Sequence, residues 1–186
     1  MGRLRFETAR DLFDAFPIAE PVLNLEPTDD PSLDFLVSLT SGGAFDQAVG
    51  FCSFLLPRRE AVWWGCRSVR KLIPKHTLDE REGLKVAEEW LEEPDEERRK
   101  VALELGQRYS TKLATTHLAL AAGWSGRTFS IGAGDPIPIQ PHQTALAVRS
   151  AILVAACRVP PAEKPDLMRL CLEDGAKIAS DETIRL

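Results

Sequence analysis

Prolines cut this chain into pieces of helix length. Pro57, Pro74 and Pro94 recur at intervals of roughly 20 residues, a helix plus a turn, and Pro17, Pro21, Pro27 and Pro31 crowd the first connection. A proline breaks a helix interior because it lacks the amide and its ring clashes with the preceding turn. Between these breaks the apolar residues keep a helical period. In Ala44–Leu56 they fall at Phe45, Ala48, Val49, Cys52, Leu55 and Leu56, one face of a helix. Almost nothing alternates with period two. Ile137-Pro138-Ile139 imitates a strand, but its proline would confine it to an edge. The pattern predicts an all-α protein.

The individual helices follow from their ends. An amphipathic helix is expected at Glu7–Phe16. The next has Asp30 as its cap, Pro31 at its first position, Phe35, Leu36 and Leu39 along one side, and Ser41-Gly42-Gly43 as its stop. Others are expected at 44–56, 58–73 and 79–92. Pro94-Asp95-Glu96-Glu97 then opens one long helix to Gly123, acidic at its N-terminal end as the helix dipole favours, with Val101, Leu105, Tyr109, Leu113 and Leu120 as its stripe. Residues 144–158 are apolar nearly all round and should lie at the centre. Pro160-Pro161 and Pro165 precede the last helix. The expectation is one domain over residues 1–186, a compact bundle or short array of seven or eight helices built from αα-hairpins. Residues 1–27 supply an N-terminal helix and a Pro-rich connection, and 125–143 form a long Gly/Pro-rich loop. No repeated motif is present, which places a solenoid second.

Composition narrows the function. Hydrophobic residues are 44% and charged residues 27%, which excludes a disordered chain. With 23 Lys and Arg against 28 Asp and Glu, the net charge of -5 excludes a generally basic nucleic-acid binder. The start, Met1-Gly2-Arg3-Leu4-Arg5-Phe6, is interrupted by Glu7, Arg10, Asp11 and Asp14, so no secretory signal is read. Position 6 is Phe, which breaks the myristoylation pattern. The longest apolar run, 151–157, is too short to span a bilayer. Cys52, Cys66, Cys157 and Cys171 form no Cys-x-x-Cys and sit in apolar helical patterns, as buried free thiols of a reducing cytoplasm would.

No catalytic set is legible. His76, His117 and His142 have no partner at metal-ligand spacing. Gly123-Trp124-Ser125-Gly126-Arg127 misses the nucleophile elbow at its last position and follows no strand; it reads as a helix C-terminus with Trp124 packed back. Gly132-Ala133-Gly134 has no Gly-Lys-Ser/Thr after it and is no phosphate loop. The carboxylates of Asp79–Glu97 lack calcium-loop spacing and read as a solvated face or an acidic docking patch. No cofactor or metal is expected.

The most unusual segment is Pro57-Arg58-Arg59-Glu60-Ala61-Val62-Trp63-Trp64-Gly65-Cys66-Arg67. Adjacent helical residues diverge by about 100°, so only one indole can enter the core beside Val62, Cys66 and Val69. The other must fill a second interface, within the fold or with a partner. Arg58, Arg59, Arg67, Arg70 and Lys71 share that helix and can pair with the acidic segment.

This segment, together with Ala122-Gly123-Trp124-Ser125-Gly126 and the Pro-rich loop leading into Pro141-His142-Gln143-Thr144-Ala145, resembles an uncharacterised family of small bacterial proteins of about this length. The resemblance covers most of the chain. It implies an association with gene neighbourhoods of type VI secretion, the contractile injection apparatus, and carries over no catalytic residues. The expected function is therefore a non-enzymatic cytoplasmic adaptor or chaperone for a secretion component or its cargo. Its partner-binding residues are expected among Arg58, Arg59, Trp63, Trp64, Arg67 and Trp124, with a groove between helices receiving a helix or extended segment. Three alternatives stay open. One is an immunity protein that uses Asp79–Glu97 against a basic toxin. Another is an enzyme joining Glu60, Arg59, His142 and Ser125. The last is a homo-oligomer closed over the outward-facing Trp.

Overall fold

A computed structural model describes residues 4–129 and 135–180. The start Met1-Gly2-Arg3 and the Gly132-Ala133-Gly134 stretch lie outside the described residues. Ten helices occur among the described residues: α1 (Ala9–Ala15), α2 (Ala19–Leu23), α3 (Ser32–Ser41), α4 (Phe45–Leu55), α5 (Arg58–Leu72), α6 (Leu78–Glu92), α7 (Glu96–Arg108), α8 (Ala114–Gly123), α9 (Gln143–Ala156) and α10 (Lys164–Ala179). The protein is thus mostly helical, with more helices than the seven or eight expected.

The first extra helix is α2. Pro17 and Pro21 argue against a helix there, but Pro21 stands in the first turn of α2, where an amide has no acceptor within the helix. The turn ends at Asn24, which takes the left-handed conformation at φ 51°. The second extra helix comes from the expected long helix at 94–123. Tyr109 adopts an extended backbone and ends α7, and the chain reverses through Ser110–Leu113. α8 then lies back along α7 at short range. A Cβ on Gly106 would meet Leu120 at 2.7 Å, and one on Gly123 would meet Leu103 at 2.7 Å. The predicted stripe of α7 changes accordingly. Val101 is exposed, and Arg99, Ala102, Leu103 and Gly106 face inward.

Two further local expectations are corrected. Asp30 does not cap α3, whose N-cap is Pro31 with no side-chain bond. Asp30 accepts from Thr28 Oγ1 instead, and its carbonyl, with that of Thr28, takes the first amides of α1 from Ala9 and Arg10. Within the Gly/Pro-rich segment, β1 (Thr128–Phe129) pairs antiparallel with β2 (Ile137–Pro138), Thr128 opposite Pro138. Only two strands are involved, so Pro138 sits on an edge and withholds no ladder bond from a further neighbour.

α9 is the central helix. It packs on α4, α5 and α8 and buries Ala147, Val148, Ala151, Ile152 and Ala155. α4 and α5 meet at the extended Leu56-Pro57 corner and do not lie along one another. Each packs on α9, and α10 covers both. α4 and α5 thus form no αα-hairpin, whereas α7 and α8, expected as one helix, do pack together as a hairpin. One contiguous apolar core runs from Ala9 to Leu172. No helix among the described residues is long and apolar enough to cross a membrane.

Candidate partner-binding cleft

α5 separates its two indoles as helix geometry requires. Trp64 is fully buried, and its Nε1 donates to the Cys171 carbonyl at 2.7 Å. Room for the ring comes from α10, where a Cβ on Gly175 would lie 3.0 Å from the indole and 2.5 Å from Cys52 Sγ. Trp63 is only partly buried, with the Arg67 guanidinium 5.2 Å from its ring centroid. This is stacking distance for a cation over the most electron-rich aromatic side chain.

Trp63 lies in an open cleft of about 570 Å³ between α5 and α6, lined by Arg59, Trp63, Cys66, Arg67, Arg70, Glu88, Leu91 and Glu92. Its floor is apolar, because Leu91 and Cys66 are buried beneath it. Burial also pushes the Cys66 thiol well above its ordinary range, which disfavours the thiolate. Its rim is charged. Arg70 makes a two-pronged pair with Glu88, both bonds at 2.8 Å. Arg59 donates through Nε and Nη2 to the Leu91 carbonyl near the end of α6. On the outer side, Asp174 of α10 binds Lys71 at 2.9 Å and approaches Arg67 only to 3.7 Å.

The cleft thus brings together Arg59, Trp63 and Arg67 from the expected set. Trp64 belongs to the core. Arg58 and Trp124 lie elsewhere, at the Gly-Trp-Ser-Gly turn. Arg58 Nη1 donates to the carbonyls of Ser125 and Gly126 at 2.8 and 3.1 Å. Arg99 of α7, 4% exposed, donates to the carbonyls of Gly123 and Thr128 at 2.6 and 3.0 Å and pairs with Glu96. Trp124 caps α8 and packs partly buried against the core. Two arginines therefore hold this turn: Arg99 takes the last carbonyl of α8, at Gly123, and that of Thr128 in β1, and Arg58 takes the two turn carbonyls between them. The Arg58 contact joins the twin-Trp segment physically to this turn. Sequence reading passed over Arg99. The available signal was its place at i, i+3, i+4 and i+7 with Ala102, Leu103 and Gly106, a small-residue face that an arginine can share.

The remaining candidates are dispersed. Ser125 Oγ donates to the Ala122 carbonyl, Arg59 is held at Leu91, and no hydrogen bond joins any two of Glu60, Arg59, His142 and Ser125 among the described residues. Most carboxylates of Asp79–Glu97 serve the fold. Glu80 is buried against Arg158, Glu82 accepts from Tyr109, Glu93 and Asp95 pair with Arg98, and Glu96 pairs with Arg99. Asp79, Glu92 and Glu97 have no such partner among the described residues. Burial pushes the Glu80 carboxyl up, but the Thr77 amide and the Arg158 guanidinium outweigh it and hold it below its ordinary value. No group of three His, Cys, Asp or Glu among the described residues converges as a metal site would. One cysteine departs from expectation: Cys157 ends α9 and is exposed, whereas Cys52, Cys66 and Cys171 are buried, and all four are free.

The described residues thus form a mostly helical fold with an open, Trp-lined cleft. A model for a family of unknown function, DUF6931, matches residues 35–179, and the chain belongs to that family. The match spans the cleft, the two-arginine turn and all of α4 to α10. No curated protein and no solved structure matches the chain.

Proposed function

We propose that this protein is a non-enzymatic adaptor or chaperone that receives a segment of a partner protein in the α5–α6 cleft. The observation that carries the reading is Trp63. It is a large aromatic side chain, kept partly open over an apolar floor and ringed by arginines, the composition that dominates binding energy at protein interfaces. The cleft offers no side-chain pair placed as nucleophile and base, which favours binding over chemistry. The resemblance of the twin-Trp segment and the Gly-Trp-Ser-Gly turn adds a context: a component or cargo of type VI secretion, met in the cytoplasm.

The test is site-specific photo-cross-linking in the host cell, with the cross-linker at Glu92 on the cleft and at Glu173 on α10. A secretion component captured from Glu92, not from Glu173, and lost in a folded Trp63→Ala variant is the expected result. Equal capture from both positions, or none from Glu92, overturns the assignment.

A further inference from the structure

We infer that the cleft's occupant is a short acidic segment of a partner protein that carries an aromatic side chain, with the ring set on Trp63 and the carboxylates on Arg59 and Arg67. This rests on the adaptor reading and adds the chemistry of the ligand. The argument is one of charge left over after internal pairing. Arg70 and Glu88 neutralise each other in a two-pronged pair. Asp174 is engaged first by Lys71, leaving Arg67 at the longer 3.7 Å. Arg59 bonds only to a neutral carbonyl, so its positive charge meets no carboxylate there. Two cations thus face the cleft against the single unpartnered carboxylate of Glu92.

The lining carries three arginines against two carboxylates, a small positive excess on a chain of net charge -5, and this favours an acidic segment over a basic one. The floor adds the second requirement. Trp63, Leu91 and Cys66 reward an inserted ring, and Arg67 already lies over one face of the indole as it would over a stacked pair. A space of about 570 Å³ that opens to solvent takes a few side chains, not a whole helix.

The experiment is selection of a displayed random-peptide library on the full chain, with counter-selection on Trp63→Ala. The strongest peptide is then measured by calorimetry. Acidic sequences with an aromatic residue are expected. Their affinity should fall about tenfold in Arg67→Gln, as loss of one charge-assisted bond implies. It should vanish in Arg67→Glu and weaken as salt is raised. Arg67 is exposed, so both variants leave the core intact. Neutral or basic winners, winners that still bind Trp63→Ala, or no enrichment overturn the inference. So does a dimer seen by light scattering that Arg67→Glu dissociates, which assigns the cleft to a second copy. A cross-linked partner whose contacting segment is not acidic sinks this inference and leaves the adaptor reading standing. Loss of cleft-specific cross-linking removes the adaptor reading itself.

Discussion

The indole of Trp64 and the carbonyl of Cys171, 107 residues apart in the chain, are joined by a buried hydrogen bond of 2.7 Å. The bond ties α5 to α10 at the point where Gly175 leaves room for the ring. Trp64→Ala removes the largest fully buried side chain and should destabilise the fold by about 3–5 kcal/mol. Trp64→Phe keeps much of the volume and loses this side-chain bond, while the Cys171 carbonyl keeps its helical amide partner within α10, a loss of about 0.5–1.5 kcal/mol. Trp63→Ala, which removes a partly buried ring packed on the edge of the core, should cost less than Trp64→Ala, about 1–3 kcal/mol. Urea unfolding of the three variants checks the order; a Trp63 variant as damaging as Trp64→Ala would contradict it.

Arg58 of α5 and Arg99 of α7 hold the same turn. Removing Arg99 takes the donor from the helix-end carbonyl of Gly123, removing Arg58 takes it from the turn carbonyls of Ser125 and Gly126, and Arg99 is the more deeply buried. Arg99→Ala should cost about 2–3 kcal/mol, because its bonds are charge-assisted and lie out of water. Arg58→Ala should cost less. In both, hydrogen exchange at Trp124–Phe129 should rise before that of α9. A double-mutant cycle should show coupling, since both act on one turn.

Legibility in the sequence followed the physics of each element. Helices with clear ends and unambiguous apolar faces, such as α5 and α6, were readable to within a residue, and Pro165, expected before the last helix, lies in the first turn of α10. α2 was not, because a proline in a first turn looks like a break. The reversal between α7 and α8 was not, because residues 109–113 contain neither Gly nor Pro and the apolar period runs through them. The divergence of Trp63 and Trp64 followed from helix geometry alone. Which of them was buried did not, since it depends on Gly175 and Cys171, far along the chain. Likewise Arg58 looked like a partner of Arg59 at a groove, and only the fold shows it turned toward Ser125.

Acid should loosen the contact between α6 and the end of α9. Glu80 closes a capping box with Thr77 and pairs with Arg158, and its folded pKa lies below its unfolded value. A depressed carboxylate contributes stability fully above the unfolded pKa, about 4.3, and loses it as pH falls through the folded value. Glu80→Gln should therefore be clearly less stable than the natural chain at neutral pH and converge with it in strong acid. His76 acts earlier with the same sign. Burial, and to a lesser extent Arg70, Arg158 and Arg81, lower its pKa against the opposing pull of Glu80. Stability therefore starts to fall below about pH 6.5, where the unfolded imidazole takes up its proton first. Denaturation midpoints across pH for Glu80→Gln and His76→Gln separate the two windows.

Thiol labelling reads the cleft floor directly. Cys157 is exposed, whereas burial pushes the thiols of Cys52, Cys66 and Cys171 up and shields them. A native sample should react at Cys157 quickly and at the other three only on unfolding, because the thiolate is the reactive form and reagent must reach it. Cys66 differs from Cys52 in lying under the cleft, at 3% exposure beside Trp63. Trp63→Ala takes the cover away and keeps the fully buried residues of α5 in place. Labelling of Cys66 should accelerate in that variant while Cys52 and Cys171 stay protected, which mass spectrometry of the modified peptides resolves. Equal acceleration of all three would mean that Trp63 supports the whole fold and does not simply line a cleft.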